Sequence, residues 1–270
     1  MGIYPQPNAW QCGPFALKHG LLALGIVAHE RALTRASGAT QTGADERALA
    51  RAAGRWGCAL PTVRRRSAAR ARASLVERLE ARQPVLVCVE QWSHWATVVA
   101  RDGDAFVVLD SREAGVFRVM TWGQLGPALA YHTRGARLYD LHPLVPRRPW
   151  AWGRFSARRA AYLQRASNRD LAYAWGGYLG SLLAVSRPAS TQTELTFPLV
   201  DVIRREARAF GREWPAPSPE LRRAVRRRLT HAGFVAETYD LQVAPDGESL
   251  ALAALDALSG VSPPPSAMAG

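Results

Sequence analysis

The chain has 270 residues, of which 48% are hydrophobic and 21% charged, which is typical of a globular protein with one large domain or a large and a small one. The net charge is +13, and Lys18 is the only lysine among 35 basic residues. Such an arginine excess favours acidic partners. No apolar run reaches the ~18 residues of a membrane span, and no secretory signal opens the chain, so we expect a cytoplasmic protein without a membrane span.

Cysteine usage excludes a disulfide framework, because three cysteines are too few and odd in number. Cys58 and Cys88 lie in apolar segments and are predicted to be buried small hydrophobic residues. No C-x-x-C pair or Cys/His cluster has the spacing of a zinc site. The sequence therefore predicts neither a structural metal nor a cofactor.

The spacing of apolar residues changes from helical to strand-like near the middle of the chain. Helical spacing predicts helices over 12–27, 28–36, 44–55 and 74–82. β-branched apolar runs predict strands over 84–90, 94–100, 105–110, 117–120 and 137–141, with a short helix near 122–129. Thr42 or Asp45 is expected to cap the third helix, and Ser74 with Glu77 forms a capping-box pattern for the fourth. Helices followed by an antiparallel meander predict an α+β fold.

Cys12 is predicted to begin the first helix. Gly13 and Pro14 follow it, and proline is tolerated in the first turn of a helix. The positive end of the helix dipole favours the thiolate form of a cysteine at this position. A thiolate nucleophile needs a base and a group that orients the base. A single cysteine is more often a buried apolar residue, so the interpretation depends on finding these partners.

His94 and Asp110 supply the two partners. His94 opens one predicted strand and Asp110 closes the next, and Asp102-Gly103 between them is a hairpin signal. The start of the first strand then lies beside the end of the second, so imidazole and carboxylate meet at one end of the sheet. With Cys12 they would form the Cys-His-Asp variant of the catalytic triad.

The tetrahedral oxyanion of such a reaction needs hydrogen-bond donors. The backbone N–H of Cys12 is one candidate, and the side-chain amide of Gln6, six residues earlier, is the other. Each residue also has a purely structural interpretation: His94 in a strand beside Trp95, Asp110 in a turn, and Gln6 as an exposed loop amide. Their combination favours one mechanism.

The pattern Q-x₅-C-G, then a histidine in a β-run and an aspartate sixteen residues later, resembles the bacteriocin-processing, double-glycine-leader cysteine peptidases of the papain-like superfamily. The resemblance covers about residues 4–142 and includes T-G-A-D-E-R-A-L-A-R-A-A-G-R-W-G, similar to that family's helix-then-glycine segment. It implies a papain-like fold in which Gln6 supplies the oxyanion hole and Cys12, His94 and Asp110 form the triad. Pro14 after C-G resembles the sequence of free-standing relatives. Many family members are fused to a transporter with membrane spans, and we expect no such spans in this chain. The resemblance therefore does not specify double-glycine leaders as the substrate.

Three regions are predicted. Residues 1–145 form the papain-like cysteine peptidase domain, 146–260 a mainly helical accessory region that recruits the substrate, and 261–270 a disordered tail. In the accessory region, helices are predicted at 157–166, 169–185, from Pro198 to about 210, from Ser218 onwards and at 249–258, with a strand at 235–243.

The leading hypothesis is a cysteine peptidase that hydrolyses a peptide or isopeptide bond in a peptide or protein tail. One alternative is an acyltransferase that uses the same thioester intermediate. Another is a catalytically vestigial adaptor whose arginine-rich segments, 64–72 and 224–229, bind an acidic protein. Nucleic acid is a less favoured partner, because no nucleic-acid-binding motif surrounds Trp150 and Trp152.

Overall fold

The computed structural model divides into two compact units, residues 1–174 and 175–270. It describes residues 1–133, 135–148, 150–191, 195–210, 218–247, 250–252 and 255. The predicted tail 261–270 lies outside the described residues. Of the predicted helix 249–258, only 250–252 and 255 are described, and they are helical.

The first unit contains nine strands among its described residues: β1 (Cys58–Ala59), β2 (Val63–Arg65), β3 (Val85–Val89), β4 (His94–Asp102), β5 (Ala105–Leu109), β6 (Phe117–Thr121), β7 (Tyr131–Thr133), β8 (Ala136–Pro143) and β9 (Val145–Pro146). The unit is built on an antiparallel sheet with the strand order β2-β8-β3-β4-β5-β6, in which β7 pairs with β8. A separate two-stranded sheet joins β1 to β9.

Helices cover this sheet, and the α+β order predicted from the sequence is confirmed. They are α1 (Cys12–Ala23), α2 (Glu30–Ser37), α3 (Glu46–Arg55), α4 (Ala68–Glu80), α5 (Trp122–Leu129) and α6 (Ala157–Gln164). The next helix, α7 (Arg169–Val185), contains the boundary between the two units.

Helix α1 is the central helix of the first unit, and every one of its residues is buried. Thr97 of β4 donates a hydrogen bond from Oγ1 to the carbonyl of Ala16 at 2.6 Å. A Cβ added at Gly20 would lie 3.2 Å from the side chains of Leu86 and Leu144, so the helix and the strands approach closely there. Because α1 is enclosed by the core, the position of its first residue, Cys12, is fixed by packing.

The predicted start of α4 is wrong. The helix begins at Ala68, where Ser67 caps it by accepting the N–H of Arg70 at 3.5 Å. Ser74 is a buried residue within the helix and accepts a hydrogen bond from Arg65 Nε at 2.9 Å. The favourable helix formers that precede Ser74 extend the helix by nearly two turns.

The second unit contains helices and a small antiparallel sheet, and its further elements are β10 (Arg187–Pro188), β11 (Phe197–Pro198), α8 (Leu199–Ala209), α9 (Pro219–Thr238) and β12 (Leu241–Val243). The strand order of this sheet is β10-β12-β11. The predicted strand 235–243 is wrong in its first half, because Val235 and Ala236 belong to the buried face of α9. Among the described residues of both units, no helix combines the length and apolarity needed to cross a membrane.

Candidate active site

Cys12 is the first residue of α1, as its Gly-Pro context predicted. A 3-10 turn, Ala9–Gln11, leads directly into it. Only 6% of the residue is exposed. The thiol therefore lies at a helix N-terminus, where the helix dipole favours a negative charge.

His94 and Asp110 meet at one end of the sheet. His94 is the first residue of β4, Asp110 directly follows β5, and these two strands pair in a hairpin whose last pair is Asp102 with Ala105. His94 Nε2 lies 2.6 Å from Asp110 Oδ1, and both residues are almost fully buried. The hairpin predicted from the sequence thus places imidazole and carboxylate in hydrogen-bond contact.

The carboxylate of Asp110 stays ionised despite its burial. Burial alone would raise the pKa of Asp110, but the bonds from His94 and from the backbone N–H of Arg112, together with their charges, lower it. The N–H of Arg112 donates to Asp110 Oδ1 at 3.1 Å, and Arg118 Nη1 lies 3.5 Å from Oδ2. An ionised Asp110 can both orient the imidazole and stabilise its protonated form.

The thiol of Cys12 and the imidazole of His94 lie close enough for each to shift the pKa of the other. Since Asp110 occupies Nε2, the nitrogen available to the thiol is Nδ1. Burial alone would raise the pKa of Cys12, but the bond to His94 and the backbone N–H groups of Trp95 and Gly13 lower it. Burial would likewise lower the pKa of His94, but its bonds to Asp110 and Cys12 raise it to about 9. These shifts favour a thiolate–imidazolium pair at neutral pH.

The other two cysteines have opposite properties. Both are free and buried, as predicted. Burial raises the pKa of Cys58 to about 11 and that of Cys88 to about 12. Both are inert thiols at neutral pH and serve as internal references for the reactivity of Cys12.

Gln6 is hydrogen-bonded to Ser111, the residue after Asp110. The Gln6 Oε1 atom accepts the Ser111 hydroxyl at 2.6 Å, and the Gln6 backbone N–H donates to the Ser111 carbonyl at 2.8 Å. The Nε2 group donates to the carbonyls of Asn8 and Ala9 at 2.9 and 3.0 Å. Both amide hydrogens are therefore engaged by the turn that precedes Cys12.

A left-handed turn, missed by the sequence reasoning, precedes His94. Glu90, Gln91 and Trp92 have φ angles of 54°, 57° and 64°, which are costly for residues other than glycine. Tertiary contacts hold the turn. Arg112 binds both carboxylate oxygens of Glu90 at 2.5 and 2.8 Å, and the Trp92 ring stacks on Tyr131 at 4.0 Å. No glycine or proline marks these positions, so the sequence carries no local signal for the turn.

Within the part of the chain that the structure describes, no three His, Cys, Asp or Glu side chains are arranged to hold a metal ion.

No family model matches the chain, and no curated protein matches it either. Among the solved structures that do match is the peptidase domain of Streptococcus ComA, a bifunctional ABC transporter involved in a quorum-sensing pathway. It is 17% identical, with 54% of this chain and 98% of that chain covered and a TM-score of 0.39. A second is a double glycine motif protease from an AMS/PCAT transporter in complex with the leader peptide, 14% identical, with 52% and 90% covered and a TM-score of 0.39.

The chain resembles double-glycine peptidase domains. The sequence pattern Q-x₅-C-G with His94 and Asp110 resembles the same family. At these TM-scores the likeness carries no argument, and the fold and the roles of individual residues are argued from the geometry described above.

Proposed function

We propose that this chain is a cysteine peptidase with Cys12 as nucleophile, His94 as general base and acid, and Asp110 as the residue that orients His94. One observation carries the proposal: a single buried imidazole contacts a carboxylate at 2.6 Å through one nitrogen, and its other nitrogen is available to a helix-terminal thiol whose pKa it lowers. This is the arrangement that nucleophilic catalysis by cysteine requires.

The reaction follows from these contacts. Cys12 Sγ attacks the carbonyl carbon of the scissile bond, and the carbonyl electrons move to oxygen. The oxyanion then collapses as the imidazolium of His94 gives its Nδ1 proton to the departing amine, which leaves a thioester on Cys12. Neutral His94 next takes a proton from water, whose hydroxide attacks the thioester, releasing the carboxylic acid and restoring the thiolate–imidazolium pair.

Gln6 Nε2 and the backbone N–H of Cys12 are proposed as the oxyanion donors. In the structure, both hydrogens of Gln6 Nε2 are bonded to the carbonyls of Asn8 and Ala9. Donation to an oxyanion therefore requires one of these bonds to be exchanged during the reaction. An ionised oxygen is a stronger acceptor than a neutral carbonyl, which favours the exchange.

The enclosure of the nucleophile supports a proposal for the substrate class. Because only 6% of Cys12 is exposed, the carbonyl it attacks must be carried by a slender extended chain. A peptide or protein tail with small residues at the scissile bond fits this restriction. We assign recruitment of the rest of the substrate to the mainly helical residues 146–260.

The test is cleavage of a complex mixture of synthetic peptides, read by mass spectrometry. The wild-type protein is expected to cleave a subset of peptides, and Cys12→Ala and His94→Ala to cleave none. Cys58→Ala is the matched control, since it removes a buried thiol outside the site, and should cleave normally. Cleavage retained by Cys12→Ala would overturn the proposal.

An acyltransferase remains the second candidate, because burial of both Cys12 and His94 restricts the access of water to a thioester. Adding glycinamide to the cleavage assay separates the two. Products that carry glycinamide at their new C-terminus, in excess over free acids, would indicate acyl transfer. Free acids alone would indicate hydrolysis.

A further inference from the structure

Ser111 makes the two contacts that join Gln6 to the strand end carrying Asp110. Its hydroxyl donates to Gln6 Oε1 at 2.6 Å, and its carbonyl accepts the Gln6 backbone N–H at 2.8 Å. The two residues are 105 positions apart in the sequence. Ser111 is only 1% exposed, so water has little access to replace its hydroxyl as the donor.

The orientation of a side-chain amide decides whether it can serve an oxyanion. Its NH₂ end donates to a negative oxygen, whereas its carbonyl end would repel that oxygen. At Gln6, Ser111 binds the carbonyl end, and the NH₂ end faces the carbonyls of Asn8 and Ala9 in the turn before Cys12. Rotating the amide by half a turn would place Oε1 against these two carbonyl oxygens.

Ser111 also keeps the amide in place while its donors change partner. When an Nε2 hydrogen leaves a carbonyl of the turn, the Ser111 bond to Oε1 still restrains the side chain. Without that hydroxyl, the exchange would leave the amide with fewer anchors, and its nitrogen would spend less time at the oxyanion position.

We propose that Ser111 is a positioning residue that holds the Gln6 amide with its nitrogen directed to the oxyanion. This inference rests on the proposed function, because it acts through Gln6 and needs Cys12 to form an acyl intermediate. The residues Asp110 and Ser111, adjacent in the chain, would then align the base and the oxyanion donor from one strand end.

Two probes of Cys12 separate oxyanion stabilisation from activation of the thiol. The thiolate attacks the saturated carbon of iodoacetamide and iodide leaves without forming an oxyanion, so the alkylation rate reports the thiolate held by His94. The p-nitrophenyl ester of N-acetylglycine is attacked at a carbonyl carbon, so its acylation rate also requires the oxyanion donors. The released p-nitrophenolate gives the acylation rate, and intact-protein mass spectrometry shows the acyl group on Cys12.

We expect Gln6→Ala to lower the acylation rate by ~10² with the alkylation rate within about twofold of wild type. Ser111→Ala should lower acylation by roughly tenfold, the loss typical of one positioning hydrogen bond, again with normal alkylation. The double variant should acylate no more slowly than Gln6→Ala, since Ser111 acts through that residue. Ser111→Thr, which keeps the hydroxyl, should recover most of the rate, and Ser37→Ala, which removes a buried hydroxyl from α2, should be normal.

Three results would overturn the role of Ser111 and leave the peptidase proposal intact. They are normal acylation in Ser111→Ala, additive losses in the double variant, or an equal loss of alkylation, which would mean that Ser111 supports the whole site. Absence of an acyl group on Cys12 of the wild-type protein would instead overturn the proposed function and this inference with it.

Discussion

Replacing Asp110 by asparagine tests what keeps His94 protonated. Burial alone would lower the pKa of His94, and its bonds to Asp110 and Cys12 raise it to about 9. Asparagine keeps the shape of the side chain and removes its charge. We therefore expect the pKa of His94 to fall to its ordinary value of ~6.5 or below.

The size of the effect follows from these two pKa values. At pH 8 an imidazole with a pKa of about 9 is ~90% protonated, whereas one with a pKa of ~6.5 is ~3% protonated. Asp110→Asn should therefore deplete the imidazolium ~30-fold. Peptide cleavage at pH 8 should fall by at least this factor, because the imidazolium both holds the Cys12 thiolate and protonates the leaving amine.

The assay is an NMR titration of histidine-labelled protein, with His94→Gln to assign the signal, alongside the pH profile of cleavage. The basic limb of that profile should move from about 9 to near ~6.5. Asp104→Asn is the control, because Asp104 lies in the same hairpin with a side chain that is 93% exposed. A His94 titration that stays near pH 9 in Asp110→Asn would refute the assignment of the charge to Asp110.

Three further predictions concern Glu90, His94 and Lys18. Glu90→Gln should slow cleavage about tenfold because it releases the turn before His94, while the free energy of unfolding should change by less than ~1 kcal/mol, since the Glu90–Arg112 pair is exposed. Exchanging the two charges, Glu90→Arg with Arg112→Glu, should restore part of the cleavage rate. Wild-type activity in Glu90→Gln would contradict the role of Glu90 in positioning the turn. The pKa of His94 is about 9 in the folded protein and ~6.5 in the unfolded chain, so the contribution of His94 to stability is complete below pH ~6.5 and is lost as pH rises through about 9. The difference in unfolding free energy between wild type and His94→Gln should therefore shrink between pH 6 and pH 10. A constant difference would contradict the raised pKa of His94. Burial lowers the pKa of Lys18 to about 7, and its ammonium lies over the Tyr4 ring with no hydrogen-bond partner within the described part of the chain. Because the unfolded chain binds more protons than the folded one from pH 7 to ~10.5, the free energy of unfolding should rise with pH in that range. In urea unfolding, Lys18→Met should abolish this rise and stabilise the protein at pH 7, and destabilisation by Lys18→Met at pH 7 would contradict the prediction.

The elements that place Cys12, His94 and Asp110 could be predicted because their signals are local. Gly13 and Pro14 mark the start of a helix, and the turn after Asp102 joins two strands whose outer ends hold the base and the carboxylate. The turn brings the outer ends of the two strands together, and a β-bulge between Val98 and Ala100 shifts their register by one residue. The α+β class followed from the same change of spacing.

The contacts that refine the site could not be predicted, because they join residues distant in sequence. The hydrogen bonds between Ser111 and Gln6 join residues 105 positions apart. The left-handed turn at Glu90 contains no glycine and is held by contacts with Arg112 and Tyr131. The predicted start of α4 was wrong for a different reason. Two serines offered plausible caps, and the helix formers between them extended the helix back to Ser67.

The central claim is that His94 holds Cys12 as a thiolate, and its most direct measurement is the rate of iodoacetamide labelling at pH 6 with each cysteine read separately by peptide mass spectrometry. The structure predicts that Cys12 is modified well before Cys58 and Cys88, and that His94→Ala removes this selectivity. Labelling of Cys12 no faster than that of a free thiol with a pKa of ~8.5 would contradict it.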